Sequence, residues 1–262
     1  MADIFSASLA TEGETMLQRL LLAGMLSGLL VALLSFGIAR VFYEPTVEQA
    51  IALEEQGASD HGHVEQEPVS RATQRNLGLL AGIASYCIAL GGILALGLGS
   101  LNGRIGLGPR SIVWTLASLG YVSLVLVPQL KYPANPPGVG SADTIGSRTE
   151  LYFLLVLLSL ASMAVSFWIG VRIRRSHGGI FSIPVGALAF ATLAMILMSA
   201  FPDISEVPSD FPEGLLFTFR AQSAMLQLIV WGGLGAFFGQ FAKRILDPRI
   251  SRASANVGFP NA

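Results

Sequence analysis

Six stretches of about 18–25 residues, each nearly free of charge, restrict this chain more than anything else in its sequence. They run at about Leu20–Phe42, Leu77–Ser100, Ser111–Gln129, Leu151–Val171, Pro184–Phe201 and Ala221–Ala242. In lipid no water is present to satisfy peptide groups, so such windows become helices that close their hydrogen bonds internally. The predicted fold is all-α: a polytopic transmembrane helix bundle of about six spans. Only 13% of residues are charged, against roughly a quarter in soluble domains. The fifth window is the shortest and opens on Pro184, a residue suited to a first helical turn. The first is too long for a signal peptide and lacks a small-residue cleavage site, so it is expected to be retained. Residues 1–15 are expected as a disordered extension, 16–242 as the transmembrane domain and 243–262 as a cytoplasmic tail.

Lys and Arg set the expected orientation. Ten lie at the N-terminus, in the 102–110 and 172–182 loops and in the C-terminal tail; six lie in the longer 40–76, 131–149 and 202–220 loops. Of the 17 acids, 13 fall in or beside that second set. Both termini are therefore predicted cytoplasmic, with long, acidic, proline-rich loops outside.

Helix punctuation agrees with the spans. Ser147–Glu150 and Asp210–Glu213 read as capping boxes ahead of the fourth and sixth helices. Gly24/Gly28, Gly78/Gly82 and Gly235/Gly239 form three small-residue pairs that let helix backbones approach closely.

One connection is unlike an ordinary turn. "LKYPANPPGVG", Leu130 to Gly140, holds three prolines and one of only two lysines in the chain. Proline at this density dictates an extended, stiff course. On the outer face it would hold Tyr132 and Asn135 at fixed positions beside Arg148 and Glu150, either as the rim of a pathway or as a rigid spacer between helices. The third outer loop adds Asp203, Glu206 and Asp210. Arg220 stands at the membrane boundary, where a charge needs a partner or water. Glu150 is its expected partner, and snorkelling to headgroups is the other account.

Several chemistries are excluded. A net charge of −1 supplies no basic stripe for nucleic acid. One cysteine, Cys87, gives no thiolate cluster. The histidines (His61, His63, His177) all lie in loops, so no span offers haem ligands, and neither lysine fits a phosphate-binding loop. No nucleophile–base pair is visible, and an enzyme is not expected. "SDHGHVEQE" is the most metal-like segment: Asp60, His61, His63 and Glu65 offer nitrogen and oxygen donors suited to divalent Co, Ni or Zn. A loose, exchangeable site and a solvated acidic loop both account for it.

Three segments together resemble the CbtA family of cobalt transporter subunits: the start "MLQRLLLAGMLSGLLVALLSFGIARVFYEPTVEQA", the central "LKYPANPPGVGSADTIGSRTELYF", and "PDISEVPSDFPEGLLFTFR" followed by Gln227 and Trp231. The likeness spans roughly residues 16–241. Family members often carry a longer histidine-rich run in the first outer loop, here reduced to Asp60-His61-Gly62-His63. The resemblance implies a multi-pass subunit of the bacterial inner membrane that takes up Co²⁺, or Ni²⁺ or Zn²⁺, as transient substrate, with no resident cofactor. It also implies a small, single-span, histidine-rich partner of the CbtB type alongside membrane lipid. The alternative expectation is a membrane scaffold or metal-sensing protein with no pathway of its own.

Overall fold

A computed structural model describes residues 2–60 and 69–246, with the side chains of 2–15, 57–60 and 142 outside the description. The described backbone is helical, without strands. The helices are α1 (Ala2–Ile38), α2 (Glu44–Asp60), α3 (Arg71–Thr73), α4 (Leu79–Leu101), α5 (Pro109–Tyr121), α6 (Val127–Lys131), α7 (Ile145–His177), α8 (Gly179–Ala200) and α9 (Glu213–Leu246). Six continuous rods are long and apolar enough to cross a membrane: Met16–Gln56, Arg71–Leu101, Pro109–Lys131, Ile145–His177, Gly179–Ala200 and Glu213–Leu246. The expected six-span, all-α architecture is present.

The rods are longer than the apolar windows. Helical backbone reaches back to Ala2 and continues, through a wide π turn at Ala39–Tyr43, to Asp60. Much of the expected 40–76 loop is therefore helix. Proline explains how the turn widens. Pro45 has no N–H for the Val41 carbonyl and its ring crowds that carbonyl, so the turn just before it opens. The same device recurs at Val122–Leu126, a π turn followed by Pro128. The Phe42 carbonyl in the first π turn accepts a hydrogen bond from the Gln222 side chain, 3.1 Å away. At Gln74–Gly78 a third π turn occurs with no such proline.

Other boundaries also move. The expected 172–182 loop contracts to Gly178, whose φ of 84° reverses the chain between α7 and α8. α8 starts at Gly179, so Pro184 lies inside the helix and not at its start. Neither capping box forms. α7 begins two residues before Ser147, whose hydroxyl donates to the Thr144 carbonyl, and α9 begins at Glu213 with no side-chain bond from Asp210 among the described residues. α9 has 34 residues, about 51 Å at 1.5 Å per residue, well beyond a hydrocarbon core of about 30 Å.

The chain divides into two compact units, Met1–Gly37 with Arg71–Ser118 and Ile229–Ala262, and Ile38–Ser70 with Leu119–Leu228. In the first, small residues decide the packing. A methyl group on Gly24 would stand 2.3 Å from the Gly91 carbonyl oxygen, and one on Gly28 would stand 2.3 Å from that of Cys87. α1 and α4 thus meet backbone to backbone. Gly235 takes the Trp114 ring and Gly239 takes Arg110. Among the described residues, a methyl group on Gly82 would have nothing within 4 Å and one on Gly78 only the Thr73 carbonyl, so that pair makes no contact there with another helix. In the second unit α7 lies along α8, with Gly170 and Gly186 facing each other across the contact. Large apolar side chains such as Ile180, Ile183, Leu188 and Phe217 are exposed, as a lipid-facing surface requires.

This packing predicts a sharp contrast. Gly24→Val or Gly28→Val is expected to destabilise the protein by about 1–3 kcal/mol or more through overpacking, whereas Gly82→Val should change it by less than about 1 kcal/mol. Monodisperse yield in detergent and the thermal midpoint measure both. Equal effects at Gly24 and Gly82 would contradict the α1–α4 contact.

Candidate functional site

The second unit contains a cleft of about 830 Å³. Its walls come from the Pro-rich connection, the first turns of α7, the loop before α9, and one face of α9. That α9 face is set by helical spacing: Arg220, Ser223 and Gln227 recur at i, i+3 and i+7 and all line the cleft.

The Pro-rich connection is held by side-chain and backbone ties, because it has no regular hydrogen-bond ladder of its own. Lys131 forms an ion pair with Asp203. The Tyr132 hydroxyl donates to the Pro202 carbonyl at 2.9 Å, and its ring meets Phe201 edge-on with centroids 6.5 Å apart. Arg220 donates from Nη2 to Asn135 Oδ1 at 2.9 Å and from Nε to the Ala134 carbonyl at 3.3 Å. Beyond Pro136-Pro137 the chain turns through Gly138 and Gly140, with φ of 76° and 114°. At Gly140 a side chain would also collide with Arg148, whose Nη1 lies 2.3 Å from where a Cβ would stand.

Glu206 closes this wall. It accepts the Ser141 backbone N–H at 2.8 Å, and its Oε2 lies 3.4 Å from Arg148 Nε. That Nε makes no hydrogen bond, so the contact is a charge attraction only. Arg148 Nη2 in turn donates to the Ser141 carbonyl at 3.1 Å. The Thr144 hydroxyl, the Ser141 N–H and the Arg148 guanidinium together hold the Glu206 carboxyl below its usual range, against a smaller opposing effect of burial.

Of the residues singled out in the sequence, Tyr132, Asn135, Arg148, Asp203, Glu206 and Arg220 line this one cleft. Glu150 and Asp210 do not line it, and both are exposed. The expected Arg220–Glu150 ion pair is absent among the described residues. Arg220 turns instead to the Pro-rich backbone and Asn135, whose oxygens satisfy guanidinium donors without a second charge. His61, His63 and Glu65 lie outside the described residues, as does the side chain of Asp60. Among the described residues no three His, Cys, Asp or Glu side chains gather as a metal site. Lys131, Ser141 and Thr144 were not singled out by sequence. Lys131 had a signal, as one of only two lysines in the chain, but nothing in the sequence marked Asp203, 72 positions away, as its partner.

The Glu206 geometry predicts a pH dependence. A folded-state pKa below the unfolded one gives stability that is present above the unfolded value and fades as pH falls through the folded value. The difference in thermal midpoint between wild type and Glu206→Gln should hold at neutral pH and persist below the usual glutamate pKa of about 4.3. It should close only at still lower pH. A difference already lost at pH 5 would contradict the arrangement.

A family model described as "Probable cobalt transporter subunit (CbtA)" matches residues 17–243. No curated protein and no solved structure matches the chain. The match reaches all six membrane-capable helices, short only of Met16 and of residues 244–246, and covers the whole of the cleft. The chain is a multi-pass membrane protein and belongs to the CbtA family of cobalt transporter subunits.

Proposed function

We propose that this chain is the membrane subunit of a cobalt uptake system, passing the metal from the outer side of a bacterial inner membrane to the cytoplasm. The observation that carries the reading is the cleft walled by the rigid Pro-rich connection, in a chain that has six membrane-capable helices and belongs to a family of transporter subunits. The orientation rests on the Lys and Arg distribution: both termini cytoplasmic, and the Pro-rich segment outward. On this reading Tyr132, Asn135, Arg148, Asp203, Glu206 and Arg220 form the outer mouth, and Glu150 and Asp210 add negative charge beside it.

Transport requires quick exchange, which favours weak, successive contacts over a closed tetrahedral cage. Asp60, His61, His63 and Glu65 would collect Co²⁺, or Ni²⁺ or Zn²⁺, transiently, with no metal held permanently. A transporter subunit works with others, and a small single-span, histidine-rich membrane protein of the CbtB type would supply nitrogen ligands that are sparse here. The second reading is a scaffold or metal sensor without its own pathway. It is favoured by one observation: both acids that line the cleft are already engaged by basic side chains.

Uptake of radioactive cobalt by cells carrying or lacking the protein tests the proposal, with nickel and zinc as competitors. Cobalt accumulation should fall on deletion and return on complementation; unchanged uptake would overturn it. His61→Ala combined with His63→Ala should raise the half-saturating cobalt concentration modestly, by about two- to fivefold, an effect of under ~1 kcal/mol. Maximal uptake should remain. Complete loss of uptake would make that loop the principal site instead of an accessory collector.

A further inference from the structure

The charges of the cleft do not suit a bare cation. Five ionised side chains line it: Lys131, Arg148 and Arg220 against Asp203 and Glu206. Lys131 pairs with Asp203, and Arg148 with Glu206. Arg220 has no acidic partner among the described residues; its bonds run to the neutral Ala134 and Asn135 oxygens. Those two bonds use Nε and one Nη2 hydrogen, which leaves Nη1 and the second Nη2 hydrogen without a partner among the described residues. A partly buried guanidinium held in place by its own supports, with free donors and no counter-charge, is a receptor for an anion. The space is also generous. About 830 Å³ falls within the roughly 300–1,000 Å³ typical of small-molecule sites, and Ser223, Gln227 and Tyr152 line it with further polar groups beside Arg220.

We propose that the cleft binds a small carboxylate-bearing anion with Arg220 as its counter-charge, so that the metal is received there as a net-anionic carboxylate chelate and not as the aqua ion. This rests on the transport reading but names a substrate class that the reading leaves open. A planar carboxylate matches the fork geometry of the free guanidinium edge. A chelate whose carboxylates outnumber the charges of the metal remains an anion, and it arrives with its coordination shell filled. The described part of the cleft then needs no cluster of metal ligands.

Titration calorimetry on the purified full chain in detergent tests this, with citrate, cobalt(II) citrate and cobalt(II) chloride as separate probes. Citrate and cobalt(II) citrate should both bind saturably, and more weakly as salt is raised. Arg220→Gln should weaken both by about tenfold or more, and Arg220→Lys should recover part of the loss. Asp203→Asn, at an exposed side chain, releases Lys131 from its acid, adds net positive charge to the cleft, and should tighten binding. That variant keeps the test decisive if the Arg220 variants do not fold. Absence of saturable citrate binding in folded protein, or weaker binding in Asp203→Asn, would overturn the anion site. Citrate binding that cobalt abolishes would overturn the chelate. Either failure leaves the cellular uptake result standing, so the two proposals fall separately.

Discussion

The Glu206 carboxylate is the contact on which the cleft depends. The Pro-rich connection has almost no hydrogen bonds of its own, because proline removes donors and the extended course offers few internal partners. Its position is imposed from the loop before α9: Glu206 takes the Ser141 N–H and attracts Arg148, and Arg148 returns to the Ser141 carbonyl. At the other end Tyr132 is tied to Pro202 and Lys131 to Asp203. Arg220 then fixes the middle through Ala134 and Asn135. Stiffness in the segment and anchorage from a neighbouring loop produce a wall that neither would make alone.

Proline works in the helices as well. Two wide turns, each followed closely by a proline, let rods longer than the hydrocarbon core continue without a break. A π turn also frees a carbonyl to bond outside the helix, and the Phe42–Gln222 bond is such a case. Close packing of α1 against α4 is achieved differently, by glycines that leave no side chain between the backbones.

The span count was legible because it depends on one-dimensional hydrophobicity. Boundaries were not, because polar helical turns outside the lipid carry no hydropathy signal; Glu44–Asp60 is helix although its residues are mixed. Six of the eight residues expected at a rim do converge on one cleft, since proline density and boundary charges mark the connections that wall it by chemistry alone. Their pairing was not legible. Sequence suggested a carboxylate for Arg220, whereas the fold supplies an amide and a backbone carbonyl from about 85 residues away. Likewise Gly78/Gly82 shares its spacing with Gly24/Gly28, yet only the latter faces a neighbour. Spacing marks a possible contact face, and the partner that fills it is decided in three dimensions.

On the proposed reading, a cleft with its acids paired and one cation to spare passes cargo along and does not retain a metal. The most direct measurement is cobalt flux into proteoliposomes holding this chain together with the small histidine-rich subunit proposed as its partner, compared with vesicles holding each alone. The account predicts cobalt accumulation by the pair and little or none with the partner alone. Equal accumulation without this chain, or none in any combination, would contradict it.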